Sequence, residues 1–274
     1  MKRPFIVTML VLLAAVSADA QEWAKQKLEK SPRHQEWVQV KHGNRTVNAF
    51  IVYPEVKSRA TSVIVIHEIM GLTDWVRSVA DQLAEAGYIA IAPDFLSGAG
   101  PNGRGTSDFA DRSAVGQAIR DLPPDQITAD LNAVAGYLGK LPAANGKVTV
   151  GGFCWGGSQT FRYATNNPNL KAAFVFYGSG PDNKDDPAKT QAEIARIKAP
   201  VYGFYGGNDA RVNATIPRSV ELMKEAGKFY EPVTYEGAGH GFMRSGEDPA
   251  DTNDANKKAR NEAWARWKAI LKKL

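Results

Sequence analysis

Only one cysteine, Cys154, occurs among the 274 residues. An internal disulfide is therefore excluded, and stability must come from the core. Long apolar runs are scarce too. The one that stands out, Pro4–Val16, is too short to cross a bilayer. Charge of one sign is nowhere concentrated. Thirty-four Lys and Arg face 29 Asp and Glu for a formal +5, with no basic block interleaved with aromatics and only a small C-terminal lysine cluster. Nucleic-acid binding is not expected from such a pattern. His67-Glu68 lacks the second histidine at helical spacing that a zinc protease needs, so no metal site is read. Gly100 to Gly105 follows no strand and reads as a loop rather than a phosphate cradle, and no cofactor is expected. Internal repeats and low-complexity tracts are missing as well.

What is there begins with Met1-Lys2-Arg3, the apolar stretch, and Ala18-Asp19-Ala20. A basic start, a short apolar stretch and small-x-small before Gln21 predict a signal peptide over residues 1–20, cleaved near Ala20/Gln21. No cysteine lies just after the apolar stretch, which excludes a lipoprotein anchor; the competing reading is an uncleaved membrane anchor. The expectation is a secreted or periplasmic monomer, off the membrane once cleaved. Residues 21–35 read as a polar, Lys-rich lead-in, either a surface helix or disordered, and 36–274 as one domain of hydrolase size.

Within that domain, Glu36–Lys41 and Arg45–Tyr53 flank His42-Gly43-Asn44 as a hairpin. Ser62–His67 is a continuous apolar run, as in a strand covered on both faces. Further strands are expected at Ile89–Ala92, Lys147–Val150, Ala172–Tyr177, Val201–Tyr205 and Glu231–Tyr235. Helical spacing predicts helices over Asp74–Ala86, Asp125–Leu141, Pro187–Ile197, Pro217–Ala226 and Asp254–Leu274. Phe95 to Pro124 is Gly-, Pro- and Asp-rich with one weak helical patch around Ala110–Ile119, the kind of stretch that forms lids or binding loops. Strands alternating with helices predict an α/β-hydrolase-like α/β fold, a mostly parallel doubly wound sheet after an antiparallel opening hairpin.

The cysteine carries the chemistry. It sits in Gly151-Gly152-Phe153-Cys154-Trp155-Gly156-Gly157 directly after the strand Lys147–Val150, the pattern of a nucleophile elbow. Glycines two positions either side let strand and helix pass close beside a strained nucleophile, whereas a packing cysteine needs no such flanks. In this fold an acid and then a histidine follow, each after a strand. Asp209 in Gly206-Gly207-Asn208-Asp209 and His240 in Gly239-His240-Gly241-Phe242 are in place for those roles. His240 would take the thiol proton and Asp209 would orient the imidazole. The helix N-terminus behind Cys154 favours thiolate. The N–H groups of Trp155 and of Ile69, on the loop after the first buried strand, are the expected oxyanion donors.

That loop, His67-Glu68-Ile69-Met70-Gly71-Leu72, brings in a family. Together with Ala92-Pro93-Asp94, the cysteine elbow, Gly206–Asp209 and Gly239–Phe242, it resembles the dienelactone hydrolases (carboxymethylenebutenolidases) over about Val38 to Lys273. The resemblance implies that Cys154, Asp209 and His240 form a triad that hydrolyses a small ester or lactone through an acyl-enzyme. It implies that Glu68 contacts the resting thiol and takes up its proton, and that Arg244 holds a substrate carboxylate. The chain departs from the family pattern in Phe95-Leu96 after Pro93-Asp94, in having no clear second substrate-binding arginine near Arg104 and Arg112, and in its signal peptide. An acyltransferase or peptidase with the same triad, or a non-catalytic binding protein on this fold, are the alternatives; a missing triad member would mark the last, and none is missing.

Overall fold

The computed structural model describes residues 21–274, so the expected signal peptide lies outside the described residues. The strands are β1 (Gln35–His42), β2 (Arg45–Val52), β3 (Ala60–Ile66), β4 (Ile89–Pro93), β5 (Ala144–Phe153), β6 (Ala173–Phe176), β7 (Val201–Gly206) and β8 (Tyr230–Tyr235). They form one sheet in the order β1-β2-β4-β3-β5-β6-β7-β8. β1 pairs antiparallel with β2 and β2 with β4; every other pair is parallel. The expected α/β-hydrolase architecture with its antiparallel opening hairpin is the one observed.

The helices are α1 (Glu22–Glu29), α2 (Asp74–Glu85), α3 (Arg112–Arg120), α4 (Pro124–Leu138), α5 (Trp155–Asn166), α6 (Pro187–Ala195), α7 (Ala210–Asn213), α8 (Ile216–Glu225), α9 (Phe242–Ser245) and α10 (Asp254–Leu271). They cover both faces of the sheet, which explains why β3 is buried throughout. Val63 and Val65 point into one core with Trp75, Phe153, Phe176 and Trp267, while Ile64 and Ile66 point into the other with Val150, Phe161 and Tyr205. A side chain every two residues to alternate faces makes a doubly covered strand read as a continuous hydrophobic run.

Two polar anchors hold the periphery. Asp130 of α4 is fully buried and accepts from Arg45 Nε at 2.8 and 3.0 Å, with His42 Nε2 2.6 Å away. The Arg45 guanidinium also donates to the carbonyls of Ser97 and Phe95 at 2.9 and 2.8 Å, tying the opening hairpin to the loop after β4. At the N-terminus, α1 docks on α2: Ala24 and Leu28 are buried, and Arg33 grips Asp81 through two hydrogen bonds of 2.9 and 2.6 Å.

The chain leaves β3 towards β4 on one side and returns to β5 on the other, so the strand order reverses across β3 and β5. Open α/β sheets place their sites beyond the carboxyl ends of the strands at such a reversal. Glu68 follows β3, Cys154 follows β5, Tyr177 follows β6, Asp209 follows β7 and His240 follows β8.

Candidate active site

Cys154 stands between β5 and α5 with φ 55° and ψ −114°. That left-handed region is costly for any residue with a Cβ, and it persists only where the surroundings enforce it. The enforcement is visible. A Cβ on Gly152 would lie 2.3 Å from the carbonyl oxygen of Gly156, and one on Gly156 would lie 2.4 Å from that of His67. The Cys154 N–H donates to the Phe176 carbonyl at 3.0 Å, fixing the elbow to β6.

The structure brings the three expected residues together. His240 Nδ1 lies 2.5 Å from Asp209 Oδ2, and Asp209 is only 6% exposed. The other Asp209 oxygen accepts the Val212 N–H at 3.3 Å, so the carboxylate also starts α7. The pKa of His240 is raised to about 9, chiefly by its hydrogen bond to the Cys154 sulfur, with burial opposing and Asp209 adding to the rise. A ring held protonated between a sulfur and a carboxylate is poised to donate a proton on one face while anchored on the other.

A cavity of about 220 Å³ opens at Cys154. Ile69 and Trp155 contribute to its wall, and the main-chain N–H groups of both have no acceptor among the described residues. Trp155 is the first residue of α5, where N–H groups lack intrahelical partners. Behind them His67 is wholly buried; its Nδ1 lies 2.8 Å from the Glu68 carbonyl and its ring stacks on Trp155 with centroids 5.4 Å apart. Burial holds its pKa below the ordinary histidine value, so the neutral ring braces both donor segments. The Phe95–Pro124 stretch contributes Leu96, Val115 and Ile119, which pack against Ile69 and Trp155. Asp94 fastens that stretch, accepting from Leu96 N–H at 3.0 Å and from Thr106 N–H at 2.7 Å.

Comparison with known proteins gives the family. The profile of the dienelactone hydrolase family matches residues 47–274. The chain belongs to the dienelactone hydrolase family. It is 36% identical over 220 residues to the protein named "Putative carboxymethylenebutenolidase" of Salmonella typhimurium, covering 75% of this chain and 78% of that one. The protein of the same name from Escherichia coli K12 is 36% identical over 66% of each chain. Among solved structures, the "Putative Dienelactone Hydrolase" of Klebsiella pneumoniae superposes with a TM-score of 0.76 at 26% identity, covering 88% of this chain and 99% of that one.

In this dienelactone hydrolase family member, Glu68 pairs with Arg244, where the resemblance implied a contact between Glu68 and the thiol. Glu68, 3% exposed, does not bond the thiol; Arg244 Nε donates to its Oε2 at 2.9 Å. Each is thus engaged by the other. Arg244 sits on the one-turn helix α9, not on a loop. Its side chain is 30% exposed. Two further residues escaped the sequence. Tyr177, with φ 41°, buries its hydroxyl without a partner, and its ring meets the edge of His240 at 5.1 Å. Burial pushes that phenol well above its ordinary pKa, and the nearby Glu68 carboxylate pushes the same way, so it is a neutral O–H. A tyrosine ending an apolar strand gives no signal beyond strand propensity. Arg211, two residues past the acid, lines the nucleophile's cavity, whereas Arg104 lines a separate one.

Proposed function

We propose that this protein is an exported hydrolase that cleaves small esters or lactones with Cys154 as nucleophile, Asp209 and His240 completing a triad. The observation that carries the reading is the strained cysteine beside a protonated His240–Asp209 pair, opening on a cavity with two unsatisfied N–H donors. The thiolate attacks the carbonyl carbon, and the displaced electron pair on oxygen is met by the Trp155 and Ile69 N–H groups. One such donor is worth about 3 kcal/mol in comparable sites. Collapse breaks the C–O bond, and the leaving alkoxide takes the proton from His240. Water then attacks the thioester and His240 accepts its proton; collapse breaks the C–S bond, releasing the acid and returning Cys154 as the thiolate.

Glu68 and Arg244 fit this reading as a substrate-responsive pair. A substrate carboxylate that draws Arg244 away leaves buried Glu68 without its counter-ion. Arg244→Ala should therefore do two things. KM for acidic esters should rise about tenfold more than for neutral ones, since a bidentate guanidinium contact is lost. The unpaired buried carboxylate should also cost about 3 kcal/mol, seen as a fall in Tm of roughly 6–12 °C. Adding Glu68→Gln should restore much of the Tm; no recovery would mean the pair is not what Arg244 stabilises.

The reading as a whole is tested by incubating the protein from Gln21 onward with 4-nitrophenyl acetate and with a six-membered aromatic lactone. Turnover of at least one, with a transient acyl mass on the peptide containing Cys154, is the expected result. Acylation at any other residue, or none with either compound, would sink it. Export is checked separately, by finding the cleaved chain outside the cytoplasm of a producing bacterium.

A further inference from the structure

The wall of the nucleophile's cavity contains one charged residue, Arg211. Elsewhere in the described chain, arginines near acids are neutralised: Arg33 by Asp81, Arg45 by Asp130, Arg244 by Glu68, Arg260 by Glu247. Arg211 has no ion-pair or hydrogen-bond partner among the described residues, and it is exposed. Its place is nonetheless well defined. It lies between Ala210 and buried Val212 on α7, whose first turn is started by the triad acid itself. The geometry therefore couples a free guanidinium to the catalytic carboxylate by two residues of fixed backbone.

The two acids nearest the chemistry leave it uncompensated. Glu68 is held by Arg244 and Asp209 by His240. The cavity itself, at about 220 Å³, is small; its volume matches on the order of seven waters of liquid. A short acyl or alcohol group fills it, so a substituent a few bonds from the scissile carbonyl emerges at Arg211. Ser179 also lines a second cavity of about 550 Å³ bearing Lys184, which has no acidic partner among the described residues, and Arg218, which does, at 2.6 Å from Glu221.

We propose that Arg211 is a specificity-determining residue that selects substrates carrying an anionic group, a carboxylate or phosphate, distal to the scissile ester and distinct from any group held by Arg244. The proposal rests on the ester and lactone hydrolase reading above. A guanidinium can meet such a group with two parallel hydrogen bonds, while the exposed setting keeps the gain modest and salt-sensitive.

The test compares charged and neutral esters of matched size in two arms. In one the charge is on the acyl side, mono-4-nitrophenyl glutarate against 4-nitrophenyl pentanoate. In the other it is on the alcohol side, 4-acetoxybenzoate against methyl 4-acetoxybenzoate. Arg211→Ala should lower the charged-to-neutral ratio of kcat/KM by about fivefold to tenfold in at least one arm, mostly through KM. Arg211→Glu should lower it further, Arg211→Lys should retain part of it, and 0.5 M salt should shrink the wild-type preference. Ratios unchanged in both arms would overturn the proposal while leaving the hydrolase reading intact. If the wild type turns over none of the esters, the hydrolase reading fails instead, and glutarate binding to Cys154→Ala decides the Arg211 assignment. Binding lost on adding Arg211→Ala supports it; equal binding, or none in either variant, overturns it.

Discussion

Cys154→Ala should lower kcat/KM for an activated ester by on the order of 10⁴-fold, the scale on which removing a nucleophile from a cooperative triad acts. Alanine keeps the Cβ that the elbow already accommodates at φ 55°, so the backbone strain is unchanged and the fold should persist. The variant isolates the sulfur. Circular dichroism and Tm should match the wild type, and one equivalent of iodoacetamide should silence the wild type while leaving the variant's mass unaltered. Activity retained in Cys154→Ala would move the chemistry to another group altogether.

His240→Ala should cost a loss of comparable scale, and adding Asp209→Asn should cost almost nothing more. Residues that act as one unit lose their joint contribution with the first deletion. Losses that multiplied would instead make Asp209 a turn residue that only starts α7. The pH profile gives an independent reading. With the His240 pKa raised to about 9 by the sulfur and Asp209, the imidazolium is present at neutral pH, and activity that needs it to protonate the leaving group should fall as pH rises through about 9. Asp209→Asn should move that alkaline limb towards the ordinary histidine value. The same shift links to folding. A base whose pKa is raised in the folded state stabilises it fully below the unfolded value, and that contribution is lost as pH rises through the folded one. Thermal stability should therefore fall between neutral pH and pH 9 to 10, less so in Asp209→Asn.

How much of this could be read from the chain depended on distance along it. The runs Ser62–His67 and Ile89–Ala92 announced doubly covered strands because Val63–Ile66 and Ile89–Ala92 are unbroken apolar stretches, and the elbow announced itself because a glycine two residues either side of a cysteine has a steric cause. The order acid-then-histidine, each after a strand, pointed at Asp209 and His240 for the same local reason. The helices α7 and α9 were missed: four residues are about one turn, too short for any periodicity to register. The Phe95–Pro124 stretch carries a nine-residue helix, α3, where only a weak patch was legible, since its buried face is just Val115, Gly116 and Ile119. Pairing across 176 residues joins Arg244 to Glu68, and no local pattern encodes it. Tyr177 was legible as the end of a strand but not as a neighbour of His240, which depends on how the β6 and β8 ends converge.

The solitary cysteine described at the outset has a consequence for how this protein ages. Its thiol faces a cavity at the site, where peroxide can reach it and oxidise the sulfur. First oxidation yields a sulfenic acid, which a second cysteine would ordinarily capture as a reversible disulfide. No second cysteine exists in the sequence, so rescue must come from a small thiol able to enter a cavity of about 220 Å³. Without one, further oxidation is irreversible, and the working lifetime of the protein is set by its redox surroundings, long before its well-packed sheet gives way.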